Sequence, residues 1–400
     1  MATRLTASRP FTAPIVAGRS GGRILPVRTR GQAMRGGKWM GLALLAGLAS
    51  GAVQAQEAKH ATLTLDADGT IHADGVRVPP SNLLSADARA QFAARLQQGP
   101  PPSAAETGVA SARAASDKGQ KATLDRWLAL APSDITAVVM NGVHTDVVVP
   151  KTGIAPENAA RVLINLHGGG FSAGAKFGGQ AESVPLAARG RIKVVAVDYR
   201  LSPEYLFPAA SEDVEAVYRK LLETYRSENI GIYGCSAGGT LTAQAVAWLQ
   251  KKGLPRPGAI GIFCSGAMPG FWFGGDSGAL GSLLNAIPPQ ANPNDAKKGA
   301  PRFYLAGVDA NDPLVTPGLF PQVLAQFPPT LIVTGTRDIA MSNALVTNVQ
   351  LLQAGVDTQL LVLEGIGHGQ FNAFAGSPEA RETYDIIWRF FDKHLGARKR

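Results

Sequence analysis

A serine within Gly234-Cys235-Ser236-Ala237-Gly238-Gly239 has the spacing G-x-S-x-G. In a chain with 46 glycines that pentapeptide alone carries little. Its position carries more, because it lies between a short apolar run, Ile230 to Tyr233, and a run with helical character. A sharp strand-to-helix turn lifts a serine hydroxyl to the top of a sheet and aims the free N–H groups of a helix start beside it. The chemistry would be acyl transfer. A serine hydroxyl is a poor nucleophile at neutral pH, so it needs a base and a group to orient that base.

The chain has six histidines. His60 and His72 precede the regular part of the chain, His144 sits in an expected hairpin, and His394 lies among charges near the end. His167 opens a glycine-rich turn. His368 alone lies in a loop after an apolar strand, within Gly365-Ile366-Gly367-His368-Gly369, so it is the expected base. The acid should sit at the carboxyl end of a strand between the two. Asp338 does, following Thr330 to Thr334. Asp357 precedes its strand, at the wrong edge, and Asp309 and Asp312 have no strand before them. The resulting order is Ser236, Asp338, His368. His167-Gly168-Gly169-Gly170 follows directly on the strand Arg161 to Leu166. Such a turn curves backbone amides toward a developing negative charge. Gly168 and Gly169, with the amide of Ala237, are the expected donors, and His167 is expected to pack the loop.

Alternating strands and helices are expected from Asp134 onward. Ile135 to Met140 and His144 to Val149 read as a hairpin around Asn141-Gly142. Ile192 to Val197, Ala259 to Cys264 and Gln359 to Leu363 are further strands. Helices are expected over Ser211 to Tyr225, Ala237 to Lys252, Ser342 to Ala354 and Pro378 to Leu395. Continuous apolar strands joined by helices make a mostly parallel sheet covered on both faces, an α/β fold. Before it, Ser85 to Gln97 and Ala104 to Leu130 have helical spacing, the second interrupted at Gly119. Ser265 to Pro329 breaks the alternation. A segment that long is expected to be a lid or binding segment. Its Phe271, Trp272 and Phe273 are candidates for an apolar pocket wall, or for packing of the segment onto the core.

The formal charge is +9. Eight Lys or Arg, and no acid, precede Glu57. Removing them leaves 31 basic residues against 30 acidic ones, which gives the body no general field for nucleic acid. From Met34, a basic start, an apolar stretch to Val53 and the small-residue site Val53-Gln54-Ala55 read as a secretory signal ending near Ala55. The apolar stretch is short for a membrane span, which takes about 20 residues. An uncleaved anchor is the alternative. Export would permit a disulfide between Cys235 and Cys264. The turn at Ser236 constrains the direction of Cys235, and disulfide geometry is exacting, so two buried thiols are expected. Two cysteines provide no metal-ligand cluster.

Three blocks together resemble the hormone-sensitive-lipase-like branch of the α/β hydrolases. They are His167–Gly170, Asp198-Tyr199-Arg200-Leu201-Ser202-Pro203-Glu204 with Phe207-Pro208-Ala209-Ala210, and Gly234–Gly239. The resemblance spans roughly residues 130–395. It implies an α/β-hydrolase fold of about eight strands, with Ser236 as nucleophile, His368 as base and Asp338 as its orienter. It implies Gly168, Gly169 and Ala237 as oxyanion donors. The substrate would be a small carboxylic ester with a short- to medium-chain acyl group, and no cofactor or metal would be needed. A lactone or amide could serve the same triad, and a non-catalytic binding protein on this fold is a further alternative. The resemblance also implies a cap from 56–130 and 265–329, a catalytic domain over 131–400, and a homodimer joined at the Gln359–Leu363 strand. Two positions depart from the branch. Cys235 stands where it usually has Asp, which removes a charged acceptor beside the nucleophile. Gly369-Gln370-Phe371 follows the histidine where a Phe often comes at once.

Overall fold

The computed structural model describes residues 62–65, 71–76, 78–98, 107–268, 275–284 and 304–396. The expected signal segment and the Phe271-Trp272-Phe273 cluster lie outside the described residues. The chain divides into two compact units, the first ending at Gly75 and the second running from Val76. In the first, β1 (Thr62–Leu65) and β2 (Ile71–Asp74) form an antiparallel pair.

The second unit carries an eight-stranded sheet. Its strands are β3 (Ser133–Met140), β4 (Val143–Pro150), β5 (Val162–Leu166), β6 (Lys193–Val197), β7 (Ile230–Cys235), β8 (Ala259–Phe263), β9 (Thr330–Arg337) and β10 (Thr358–Gly367). Their spatial order is β10-β9-β8-β7-β5-β6-β4-β3. The pairs β3/β4 and β4/β6 are antiparallel and the others parallel. The hairpin forms because Asn141 and Gly142, at φ 47° and 86°, supply the left-handed pair that a tight two-residue connection requires. Every residue of β5, β7 and β8 is buried, which is why these strands read as unbroken apolar runs.

Ten helices are described. They are α1 (Ala86–Gln98), α2 (Val109–Leu130), α3 (Phe177–Gly190), α4 (Ala209–Leu222), α5 (Ala237–Lys251), α6 (Gly275–Leu284), α7 (Pro321–Leu324), α8 (Met341–Gln353), α9 (Gln370–Ala373) and α10 (Pro378–His394). Two buried clusters lie on the two faces of the sheet. One holds Ile164, Val195, Ile232 and Ile260 with Val214, Leu241 and Ala344 of α4, α5 and α8. The other holds Leu163, Val194, Tyr233 and Leu331 with Val184, Ile387 and Phe391 of α3 and α10. Phe92 of α1 and Trp127 of α2 belong to this second cluster, so the N-terminal helices share the core of the sheet. Among the described residues, no helix is long and apolar enough to cross a membrane.

Several elements differ from expectation. Helix α2 runs through Gly119 without a break. Helix α3 was not expected, because Gly178, Gly179 and the internal Pro185 mask its helical pattern. The parallel step from β5 to β6 requires such a crossover all the same. The segment between β8 and β9 contains α6 and α7 where sequence spacing showed no element.

Candidate active site

Parallel strands place their carboxyl ends along one edge, and five of these ends build the site. Leu166 of β5 pairs in register with Gly234 of β7, which sets the His167 turn beside the Ser236 turn. Cys235 pairs with Phe263 at the end of β8. Arg337 pairs with Gly367 at the ends of β9 and β10, so Asp338 and His368 emerge side by side.

Ser236 stands between β7 and α5 at φ 60° and ψ −121°, a strained conformation for a residue with a side chain. Such strain costs about 1–3 kcal/mol and persists only where the surroundings enforce it. Here they do. The Ser236 amide donates to the Phe263 carbonyl at 2.8 Å. Gly238 leaves no room for a side chain, since a Cβ there would lie 1.7 Å from the Leu166 carbonyl oxygen.

The three expected side chains come together. His368 Nε2 lies 2.7 Å from Ser236 Oγ, and His368 Nδ1 lies 2.8 Å from Asp338 Oδ1. Asp338 is fully buried. The Ala340 amide donates to its Oδ1 at 2.9 Å, and the Thr334 hydroxyl to its Oδ2 at 3.0 Å. Burial works to raise its pKa, but the facing His368 and these hydrogen bonds outweigh it and hold the carboxyl below its ordinary range. With the Nδ1 proton given to Asp338, Nε2 is left to accept from Ser236.

The oxyanion turn corrects one expectation. The Gly168 amide donates to Glu182 Oε1 at 3.0 Å, so it is not available to a substrate oxygen. Gly168 is buried, whereas Gly169 and Gly170 are half-buried. Both have positive φ, 119° and 61°, and neither amide has a partner among the described residues. The amides free to face a substrate are therefore those of Gly169 and Gly170, with Ala237 at the start of α5. Sequence spacing shifted the set by one residue because it could not see Glu182, which lies on the unexpected α3. The signal available was an acid set in the apolar run Ala181 to Ala187.

His167 is buried and stacked on Tyr199, with ring centroids 4.2 Å apart. Burial lowers its pKa to about 4, so it packs the loop as a neutral ring. The Tyr199 hydroxyl donates to the His167 carbonyl at 2.6 Å. On the outer side, Arg113 of α2 donates to the Ser172 and Ser202 carbonyls at 2.7 and 2.8 Å, and pairs with both carboxylate oxygens of Glu204. An N-terminal helix thus straps the turn to the block beginning at Asp198.

Cys235 and Cys264 are both buried free thiols. A hydrogen bond from Cys264 works to lower the Cys235 pKa, but burial and the nearby Glu182 and Asp338 raise it overall. Burial raises Cys264 well above the ordinary thiol range. Neither is poised as a thiolate. Cys264 Sγ accepts the Gly369 amide at 3.2 Å, beside the base. Cys264, Asp338 and His368 bring possible metal-ligand atoms within 4.8 Å of one another. The hydrogen bonds already described account for this closeness.

Similarity to known proteins follows the same part of the chain. A family model described as alpha/beta hydrolase fold matches residues 163–372. An acetyl-hydrolase of Streptomyces hygroscopicus is 30% identical over 237 residues, covering 59% of this chain and 77% of the relative. An ethyl acetate hydrolase of Pseudomonas putida is 27% identical over 252 residues, covering 60% and 75%. Among solved structures, one esterase superposes with a TM-score of 0.69 at 27% identity, over 80% of this chain and 97% of its own. An esterase from the bacterial hormone-sensitive lipase family superposes with a TM-score of 0.64 at 24% identity, over 78% and 99%.

Proposed function

Because the chain belongs to the α/β-hydrolase fold family, we propose that it hydrolyses carboxylic esters through an acyl-enzyme on Ser236. The observation that carries this is the hydrogen-bonded line from Ser236 Oγ through His368 to buried Asp338, at 2.7 and 2.8 Å. His368 takes the Ser236 proton as the oxygen attacks the ester carbonyl. The negative oxygen is received by the amides of Gly169, Gly170 and Ala237. His368 then gives the proton to the leaving alcohol, and water repeats the sequence on the acyl-enzyme. Relatives with acetyl-hydrolase and ethyl acetate hydrolase activity support a short acyl group. The three sequence blocks suggest membership of the hormone-sensitive-lipase-like branch, the family named for one of the superposing esterases.

The test is hydrolysis of p-nitrophenyl esters from acetyl to palmitoyl, by the chain from Gln56. Activity should be highest at the short end and vanish in Ser236→Ala. A folded protein inert across the series would move the substrate to a lactone or amide, or the protein to a binding role.

The same reading extends to setting. The chain is exported, with its leader removed after Ala55, on the strength of the basic start and apolar stretch that precede it. Two copies pair along β10, the end strand of the sheet. Val362 of β10 and Leu345, Val346, Val349 and Leu352 of α8 are exposed there. N-terminal sequencing of exported protein checks the cleavage site, and a retained leader would refute it.

A further inference from the structure

Glu182 on α3 joins the two turns of the site. Its Oε1 accepts the Gly168 amide at 3.0 Å, and its Oε2 accepts Asn165 Nδ2 at 3.1 Å. The Cys235 backbone faces the same carboxyl and works to lower its pKa. Gly168 immediately precedes the free amides of Gly169 and Gly170, and Cys235 immediately precedes Ser236. The carboxylate therefore holds the residue before the oxyanion donors and lies beside the residue before the nucleophile. A Cβ at Gly168 would lie 3.1 Å from the Cys235 carbonyl and 3.4 Å from Ser236 Cβ, so the two turns are already in near contact.

The chemistry of the donor set asks for a charge. Gly168 and Asn165 both donate, one to each oxygen. A carboxylate accepts both, whereas a carboxylic acid turns one oxygen into a donor that faces a donor. The side chain is half-buried, and burial of a charge is costly. A neutral residue of the same size would avoid that cost. The branch this chain resembles usually has its carboxylate on the residue before the nucleophile. Here that residue is Cys235, at the end of β7, and the carboxylate beside it comes from α3.

We propose that Glu182 is a positioning residue for ester hydrolysis, holding the Gly169 and Gly170 amides at a fixed distance from Ser236 Oγ. This rests on the ester-hydrolase reading above. The contact acts on donors that matter once negative charge develops, so its loss falls on kcat and spares KM. Burial supports a pH dependence as well, since it pushes the Glu182 carboxyl up to about 7. The titratable neighbours are Tyr199, Tyr233 and Tyr384, all raised by burial, and Cys235, raised despite its hydrogen bond from Cys264. The Tyr233 hydroxyl donates to the Glu182 main-chain carbonyl at 3.2 Å. His167 of the adjoining turn is pushed down to about 4. Within this group, only Glu182 changes charge near neutrality.

The test compares the wild type with Glu182→Gln, which keeps the size but leaves one acceptor oxygen. p-Nitrophenyl acetate turnover is measured across pH, with thermal unfolding as a check of folding. The variant should lose about 10- to 100-fold in kcat, with KM changed by no more than about twofold. The acid side of the wild-type kcat profile should fall with two protons, and that of the variant with one. A folded variant with wild-type kcat and the same acid limb overturns the proposal. If Glu182→Gln does not fold, the wild-type profile decides: a two-proton fall supports the role and a one-proton fall overturns it. A wild type inert toward every ester removes the reading beneath the proposal, a different failure from an active wild type indifferent to Glu182.

Discussion

At His368 the base has to keep its proton on Nδ1, so that Nε2 can receive one from Ser236. Asp338 enforces this at 2.8 Å, held in turn by Ala340 and Thr334. An amide there could present N–H to Nδ1 and reverse the tautomer. Asp338→Asn should therefore keep its fold and lose about 10⁴-fold in kcat. Near-normal turnover would mean that another acid orients the base. Asp338 and Glu182 also predict opposite responses of stability to pH. Asp338 has a lowered pKa, so its contribution is present above the unfolded value of about 3.9 and is lost as pH falls through the folded one. Glu182 has a raised pKa, so its contribution is full below the ordinary value of 4.5 and is lost as pH rises through about 7. Urea midpoints should decline from about pH 4.5 to 7, by an amount equivalent to at most about 3 kcal/mol. Glu182→Gln should flatten that decline. A variant that declines as steeply as the wild type would assign the effect to another group. A carboxylate that costs stability at the pH where it is ionised is the pattern expected of a residue kept for function.

At the scale of elements, the site depends on how closely β5, β7 and α5 approach. Gly238 lies where α5 crosses the end of β5. Gly238→Ala should destabilise the protein by more than about 3 kcal/mol or prevent folding, because backbone and not a pliable side chain blocks the Cβ. A soluble variant with an unchanged melting temperature would contradict that packing. Legibility in the sequence followed the same lines. Strands buried on both faces were readable as apolar runs, and Ser236, Asp338 and His368 were readable from their places at strand ends. Helix α3 was hidden by Gly178, Gly179 and Pro185, whose poor helix propensity is overridden by packing against the sheet. Glu182 was hidden with it. The one-residue shift of the oxyanion donors from Gly168 to Gly170 has the same cause: which amide is free depends on a partner 14 residues away. Helix α2 continued through Gly119 for a related reason, since Leu124 and Trp127 are buried beyond it.

Over the whole molecule, the sheet has two ends, β3 and β10. The β10 end is accompanied by a run of exposed apolar residues on α8, at 38% to 58% exposure for Leu345, Val346, Val349 and Leu352. An uncovered strand edge beside such a face favours pairing with another copy. Light scattering should give a dimer, and Val349→Glu with Leu352→Glu should give a monomer that keeps its triad. A monomeric wild type at micromolar concentration would refute the pairing. The near balance of charge beyond the first 56 residues fits a body that handles small neutral substrates and not polyanions.

Trapping the acyl-enzyme tests the role of Ser236 at the bond it is expected to form. The protein is mixed with p-nitrophenyl acetate, quenched in acid during turnover, digested and examined by mass spectrometry. One acetyl group is expected, on the peptide containing Ser236, lost from Ser236→Ala together with turnover. Continued turnover by Ser236→Ala, or an acetyl group carried through turnover on another residue, would contradict that role.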